Sequence, residues 1–197
     1  MAKRLFDIAV AALALGLLSP LLLLVALAVK LDTPGPVFYR QERVGRHGMP
    51  FRIHKFRTMH DGAGGPPLTV GNDPRITRAG AFLRRTRIDE LPQFIDVLLG
   101  RMSLVGPRPE VPRYVAQYPP ALRERVLAVR PGITDPASLA YIDEARLLAA
   151  AADPEREYVQ VILPAKLQHA ADYAERSSLA TYLAVLWRTL RLLLRQV

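Results

Sequence analysis

The 197-residue chain has no cysteine, which excludes disulfides, thiolate metal sites and a cysteine nucleophile. Histidine is scarce too. His47, His54, His60 and His169 lack the i, i+4 or clustered spacing of zinc sites, leaving ordinary surface or substrate-loop roles. No phosphate-loop signature, G-x-G-x-x-G or solenoid-period repeat occurs, so nucleotide recognition through those folds is excluded. Acidic residues are in deficit, with 18 Asp+Glu against 27 Lys+Arg and a net charge of +9. That balance points to an anionic partner: nucleic acid, anionic lipid or a phosphorylated small molecule. A hydrophobic content of 50% is high for so basic a chain. A protein at a membrane surface reconciles the two better than a nucleic-acid binder, for which no recognition helix or aromatic-basic sheet motif is visible. The length suits one domain with a real core plus appendages.

Charge is nearly absent from Leu5 to Val29, where Asp7 is the only ionisable side chain between the brackets Lys3-Arg4 and Lys30. At about 1.5 Å per residue the segment is long enough to span a bilayer. It is too long for a signal peptide, has no small-residue cleavage site, and runs through Lys30-Leu31-Asp32 into domain-like sequence. Ser19-Pro20 interrupts it, and proline removes a helical hydrogen bond. Two arms of roughly 20 Å would each be too short to cross the hydrocarbon core, so a re-entrant hairpin stands beside a spanning helix as an alternative. Positive charge at both ends suits a hairpin whose ends share the cytoplasmic side.

After the rigid Asp32-Thr33-Pro34-Gly35-Pro36 turn, Val37 to Arg40 and Phe51 to Phe56 read as a β-hairpin joined through Gly45-Arg46-His47-Gly48. His60 to Asp73, containing Gly64-Gly65-Pro66-Pro67, reads as a mobile loop, and Ile76 to Thr86 as a short helix carrying arginines. Asp89-Glu90 then precedes Pro92, which fits a first helical position, and Gln93 to Leu99 supply helix formers ended by Gly100. An irregular helix start could aim both carboxylates at one locus, with nearby arginines keeping them ionised. Such an Asp is a candidate nucleophile and its neighbour a Mg²⁺ ligand; taken alone, the local pattern fits first-turn capping by acidic residues better. Arg108, between Pro107 and Pro109, and Arg130, before Pro131, sit on stiff loops, where an arginine loses little freedom on gripping a phosphate. The C-terminal third is helical. Leu179, Leu183, Leu186, Trp187, Leu190, Leu193 and Leu194 mark one face of the last helix, accompanied by Arg188, Arg191 and Arg195. This reads either as a core-packing helix or as an amphipathic helix in a membrane interface.

In chain order the sequence carries Lys3-Arg4-Leu5-Phe6-Asp7, the Ser19-Pro20 break, Pro34-Gly35-Pro36-Val37-Phe38 and Lys55-Phe56-Arg57-Thr58-Met59. These are followed by Asp89-Glu90-Leu91-Pro92-Gln93, Met102-Ser103-Leu104-Val105-Gly106-Pro107-Arg108-Pro109 and Arg130-Pro131-Gly132-Ile133-Thr134. The set closely resembles the bacterial monotopic phosphoglycosyl transferases, also called bacterial sugar transferases. The resemblance implies transfer of a sugar 1-phosphate from a UDP-sugar to membrane polyprenyl (undecaprenyl) phosphate, releasing UMP, as the first membrane step of glycoconjugate or exopolysaccharide synthesis. By that resemblance Asp89 is the nucleophile forming a phosphosugar-enzyme intermediate and Glu90 the Mg²⁺ ligand. Arg84, Arg108 and Arg130 match basic positions near the active site, and Lys55 and Arg57 the matching basic motif, so all five are substrate-binding candidates.

The implied fold is α+β and mostly helical. It comprises a re-entrant anchor over 1–31 and a catalytic domain over 32–197 with a small β-hairpin, catalytic helices at the interface and a C-terminal amphipathic helix. The implied place is the cytoplasmic face of the bacterial inner membrane, with no nucleic-acid partner, and with a second copy or a downstream glycosyltransferase as further partners. One departure matters. Where many relatives carry Gly-x-x-Gln-Val-x-Gly-Arg, this chain reads Asp135-Pro136-Ala137-Ser138-Leu139-Ala140-Tyr141-Ile142-Asp143-Glu144, so the sugar cannot be carried over. The chain also lacks the N-terminal helices of longer members and reads as a minimal catalytic unit. A non-catalytic basic membrane adaptor is the rival reading, but it gives no reason for Asp89-Glu90 beside stiff arginine loops.

Overall fold

A computed structural model describes residues 2–65 and 68–196. Its first element, helix α1, runs over Ala2–Asp32 with Pro20 inside it, so the Ser19-Pro20 step does not end the helix. The local chemistry explains how. Proline 20 leaves the carbonyl of Gly16, four residues back, without its N–H donor. The Ser19 hydroxyl donates to that carbonyl at 2.9 Å, and Gly16 has open space where a Cβ would be. Over its most apolar 18 residues α1 has a mean hydropathy of 2.6, and only 11% of that window is buried. A core helix of a soluble domain would be covered; this one shows Leu13, Leu17, Leu23 and Leu24 to the outside. That is the surface of a membrane-associated segment.

Both ends of α1 are nevertheless fastened to the rest of the chain. Near its start, Lys3 donates to Ser177 at 2.8 Å and Arg4 to the Val97 carbonyl at 2.7 Å. The buried Asp7 carboxylate accepts from Ser103 Oγ, Leu104 N–H and Tyr182 O–H. At the other end the Val29 carbonyl and Thr33 accept from Arg57, and Asp32 accepts from the Ala79 N–H. Val25 and Val29 pack there against Phe56 and Leu83.

The hairpin region forms two antiparallel pairs. Strand β1 (Phe38–Tyr39) pairs with β4 (Lys55–Phe56), and β2 (Glu42–Val44) with β3 (Pro50–Arg52). The Gly45–Gly48 connection turns through His47 and Gly48, both at positive φ. Helix α2 spans Arg78–Thr86, capped by the Thr77 hydroxyl on Gly80 N–H, and α3 spans Gln93–Leu98, closed by Gly100 at φ +78°. Pro92 stands one residue before α3.

The loop from His60 to Asp73 is docked where mobility was expected. Leu68 is buried in the core, Arg75 donates to the Leu68 carbonyl, and the Gly71 N–H reaches the Ala145 carbonyl. Pro66 and Pro67 lie outside the described residues.

A parallel pair, β5 (Ser103–Val105) with β6 (Gly132–Thr134), sits at the centre. Around it lie α4 (Pro112–Val115), α5 (Pro120–Leu127), α6 (Pro136–Ala140), α7 (Glu144–Ala150) and α8 (Pro154–Glu157). A π-helical turn over Tyr158–Ile162 leads into α9 (Leu163–Arg176), and α10 (Leu179–Gln196) closes the chain. One core gathers Tyr114, Tyr118, Tyr158, Leu148 and Leu167. A second joins Ala11 of α1 to Val97, Met102, Leu104, Tyr182 and Val185.

The last helix therefore has two apolar faces where the sequence suggested one. Tyr182, Val185 and Leu186 turn inward, while Leu179, Leu183, Trp187, Leu190 and Leu194 remain exposed. Arg191 lies over the Trp187 ring, and the side chain of Arg195 lies outside the described residues.

Candidate active site

Asp89 and Glu90 occupy a 3-10 turn, Ile88–Glu90, wedged between α2 and α3. The turn begins at Arg87, held at φ 59°, a left-handed conformation unusual for a side-chain-bearing residue and costing about 1 kcal/mol. That reversal is the irregular helix start required for adjacent carboxylates to converge. Convergence is shown by one ammonium group: Lys55 Nζ lies 2.8 Å from Asp89 Oδ2 and 3.2 Å from Glu90 Oε1. Lys55 comes from β4, whose pairing with β1 carries it to the turn.

Arg108 completes the cluster. Its Nη2 donates to Glu90 Oε1 at 2.6 Å and its Nη1 to Oε2 at 3.3 Å. Pro107 and Pro109 stiffen the loop, and the Arg108 N–H is fixed by Asp135 Oδ2 at 3.1 Å. Asp135 also caps α6 through the Ser138 N–H, so the segment that departs from the family pattern supports the Arg108 loop.

The two carboxylates differ in what remains open. Both oxygens of Glu90 are engaged by cations. Burial opposes its ionisation, but Arg108 and Lys55 overcome that and hold its carboxyl well below the usual range. Arg108 is correspondingly held more basic by Glu90. Asp89, 2% exposed, has Oδ2 on Lys55 and an Oδ1 that is buried without any partner among the described residues. A desolvated carboxylate oxygen with no donor has no solvation shell to shed before it meets an electron-poor atom.

Glu90 also predicts a pH dependence. Its lowered folded-state pKa contributes stability that is fully present above the ordinary carboxylate value, near 4.5, and is lost as pH falls towards the folded value. Glu90→Gln should thus be clearly less stable than wild type at pH 7, with the gap closing under acid. Chemical denaturation at a series of pH values checks this; a gap independent of pH would show that Glu90 is not held ionised by its neighbours.

The remaining candidates are placed differently. Arg84 is adjacent, donating to Thr58 Oγ1 at 3.5 Å, and burial lowers its pKa while the Asp89 charge partly restores it. Arg57 is 5% exposed and its guanidinium bonds Pro36, Thr33 and Val29 at the end of α1; it is a clamp on the apolar helix. Arg130 donates through Nε to the Gly100 carbonyl, closing the end of α3.

One residue went unread in the sequence, and it moves another. Asp96, fully buried in α3, accepts from both the backbone N–H and Nδ1 of His54, pinning the residue before Lys55 to the helix that follows the dyad. His54 is thus packed rather than a surface residue. An acid between Ile95 and Val97, one turn inside a short helix, was the available signal. Among the described residues no three His, Asp or Glu side chains gather into a metal cluster. Both Glu90 oxygens already carry cations, so a Mg²⁺ ion held here would share Glu90 Oε2, which is on Arg108 Nη1 at 3.3 Å, and would take its other oxygens from a bound phosphate and water.

The sequence model of the bacterial sugar transferase family matches residues 1–196. The chain belongs to that family. It is 50% identical over 136 residues to a UDP-glucose:undecaprenyl-phosphate glucose-1-phosphate transferase of Escherichia coli, covering 67% of this chain and 29% of that relative. A Caulobacter vibrioides protein of the same description is 46% identical over 145 residues, 67% of this chain and 51% of its own length. A UDP-N-acetylgalactosamine-undecaprenyl-phosphate N-acetylgalactosaminephosphotransferase of Aeromonas hydrophila is 40% identical over 197 residues, 98% of this chain and 43% of the relative. The chain thus spans about half or less of these three relatives.

Proposed function

We propose that this bacterial sugar transferase moves a sugar 1-phosphate from a UDP-sugar to polyprenyl phosphate through a covalent aspartyl intermediate. The observation that carries the reading is the unpartnered, buried Oδ1 of Asp89 beside a Glu90 locked by Arg108 and Lys55. The relatives' names supply the substrate classes, a UDP-sugar and undecaprenyl phosphate.

In the first step Asp89 Oδ1 attacks the β-phosphorus. An O–P bond forms as the bond from that phosphorus to the bridging oxygen breaks, and the electron pair leaves with UMP. In the second, an oxygen of polyprenyl phosphate attacks the same phosphorus and the Asp89 carboxylate departs. Lys55 and Arg108 hold the dyad in place, and Arg84, half-buried with one long hydrogen bond among the described residues, has donors left for a phosphate. Mg²⁺ on Glu90, whose Oε2 is the less tightly held oxygen, would neutralise charge on the diphosphate. Intact mass spectrometry with Mg²⁺, UDP-glucose and UDP-N-acetylgalactosamine tests this: a phosphosugar adduct with released UMP is expected, and neither product with any UDP-sugar would defeat the reading.

The site belongs at the cytoplasmic headgroup plane of the inner membrane, where a soluble donor and a lipid phosphate meet. The fastening of both ends of α1 to one folded body supports a re-entrant anchor, since a body on one side of a bilayer cannot hold both ends of a spanning helix. The exposed α10 stripe from Leu179 to Leu194, with Trp187 and Arg191, supports an interfacial helix. Because the chain has no cysteine, Ala2→Cys and Leu31→Cys can be labelled singly with an impermeant maleimide. Both should react from the cytoplasmic side only; reaction from opposite sides would make α1 spanning.

A further inference from the structure

The Asp89 oxygen is not the only unsatisfied group at the site. Gln93, 1% exposed, buries its amide nitrogen Nε2 with no hydrogen-bond partner among the described residues. Leaving a buried amide unpaired is costly enough to need a reason. The chain from Ile88 to Leu98 is right-handed helical throughout: the 3-10 turn, then Leu91 and Pro92 in αR conformation, then α3. Residues four apart in such a run share a face, and helical side chains lean towards the N-terminus. Gln93 therefore leans back towards Asp89. A buried donor and a buried acceptor lie one turn apart, and they are not bonded to each other.

A ligand that completes both must offer an acceptor to Gln93 Nε2 and an electron-poor atom to Asp89 Oδ1. A phosphoryl group does this with adjacent atoms. Resting on the reaction proposed above, we infer that Gln93 is a further catalytic residue: its amide N–H donates to a non-bridging oxygen of the phosphoryl group under attack. The bonds made and broken are those of the first step, and Gln93 transfers no proton. Its neutrality is the point. Lys55 already draws on Oδ2 of the nucleophile, and another cation at Oδ1 would weaken the attack. A fixed neutral donor steadies the phosphoryl oxygens as charge and crowding grow on them, with no reorganisation.

Gln93→Met removes the donor at similar volume. With UDP-glucose and UDP-N-acetylgalactosamine as donors, kcat for UMP release and the rate of adduct formation should fall about 10²-fold, with KM within about threefold. The Tm should stay at or above wild type, because an unpaired buried amide has gone. A kcat change below about threefold would overturn the assignment. So would an effect confined to KM or to the choice of sugar, which places a sugar hydroxyl on Gln93, or a folded variant whose Tm falls while kcat holds, which reveals a resting bond. Gln93→Asn keeps the amide one methylene short; it should show the same kcat loss in smaller degree, and decides the matter if the Met variant does not fold. If wild type itself forms no adduct and releases no UMP, the proposed function falls and this assignment with it. Active wild type with indifferent variants removes only the role of Gln93.

Discussion

Asp89→Asn should form no phosphosugar adduct and should release UMP at least about 10³-fold more slowly than wild type. The substitution is nearly isosteric, and its carbonyl can still accept from Lys55, which keeps a second partner in Glu90 at 3.2 Å. The fold should survive at a cost of about 1–3 kcal/mol, since Asp89 is buried but Lys55 is partly exposed and keeps Glu90. What disappears is the electron pair on Oδ1, the oxygen that no protein group occupies. Glu90 cannot substitute, because Arg108 grips both its oxygens and Lys55 one of them. Intact mass after mixing with donor and Mg²⁺ reads the result directly. An adduct that persists in Asp89→Asn, or UMP release within tenfold of wild type, would place the nucleophile elsewhere.

Gly132→Ala should produce the largest loss of folding stability. A Cβ at Gly132 would stand 2.0 Å from the backbone nitrogen of Gly106 and 2.5 Å from its carbonyl oxygen, so main chain would have to move. The crossing is reciprocal, since a Cβ on Gly106 would lie 2.3 Å from the Arg130 carbonyl. Overpacking against backbone costs about 3 kcal/mol or more, which for a chain of this size lowers Tm by roughly 6–12 °C. Activity should fall further than stability explains. Gly132 N–H bonds the Pro107 carbonyl, beside Arg108, so the displaced strand shifts the guanidinium off Glu90. Thermal denaturation together with UMP release at a temperature where the variant is folded checks both parts; an unchanged Tm would mean that the two strands can separate without cost.

The dyad was legible in the sequence because its signal is local: two acids, a proline and helix formers within eleven residues. Its partners were less so. Lys55 lies 35 positions away from Glu90, and only the pairing of β1 with β4 brings it there. Period-two reading would put Arg57 on the same face as Lys55, but β4 ends at Phe56 and Arg57 turns to α1. The Asp7 bonds span 96 and 175 positions, beyond any local pattern; a lone acid in an apolar run was the only hint. Gln93 was read as a helix former, since an amide's lack of partners exists only after folding. The double character of α10 escaped for a related reason: a leucine-rich helix does not declare which leucines meet protein and which are left bare.

The fastening of α1 has a mechanical meaning. Lys3, Arg4 and Asp7 bind one end and Arg57 with the Ala79 N–H the other, so the greasy helix is a foundation rather than a leash. A leash lets a reactive carboxylate roam through a range of heights above a lipid surface; a foundation sets one height. Asp89 stands a few bonds from that foundation, through α3, whose end Arg4 holds. Under the proposed reaction an acceptor lipid has to bring its phosphate to the level of the carboxylate, and lengthening or loosening the attachments of α1 would blur that level before it altered a single residue of the site.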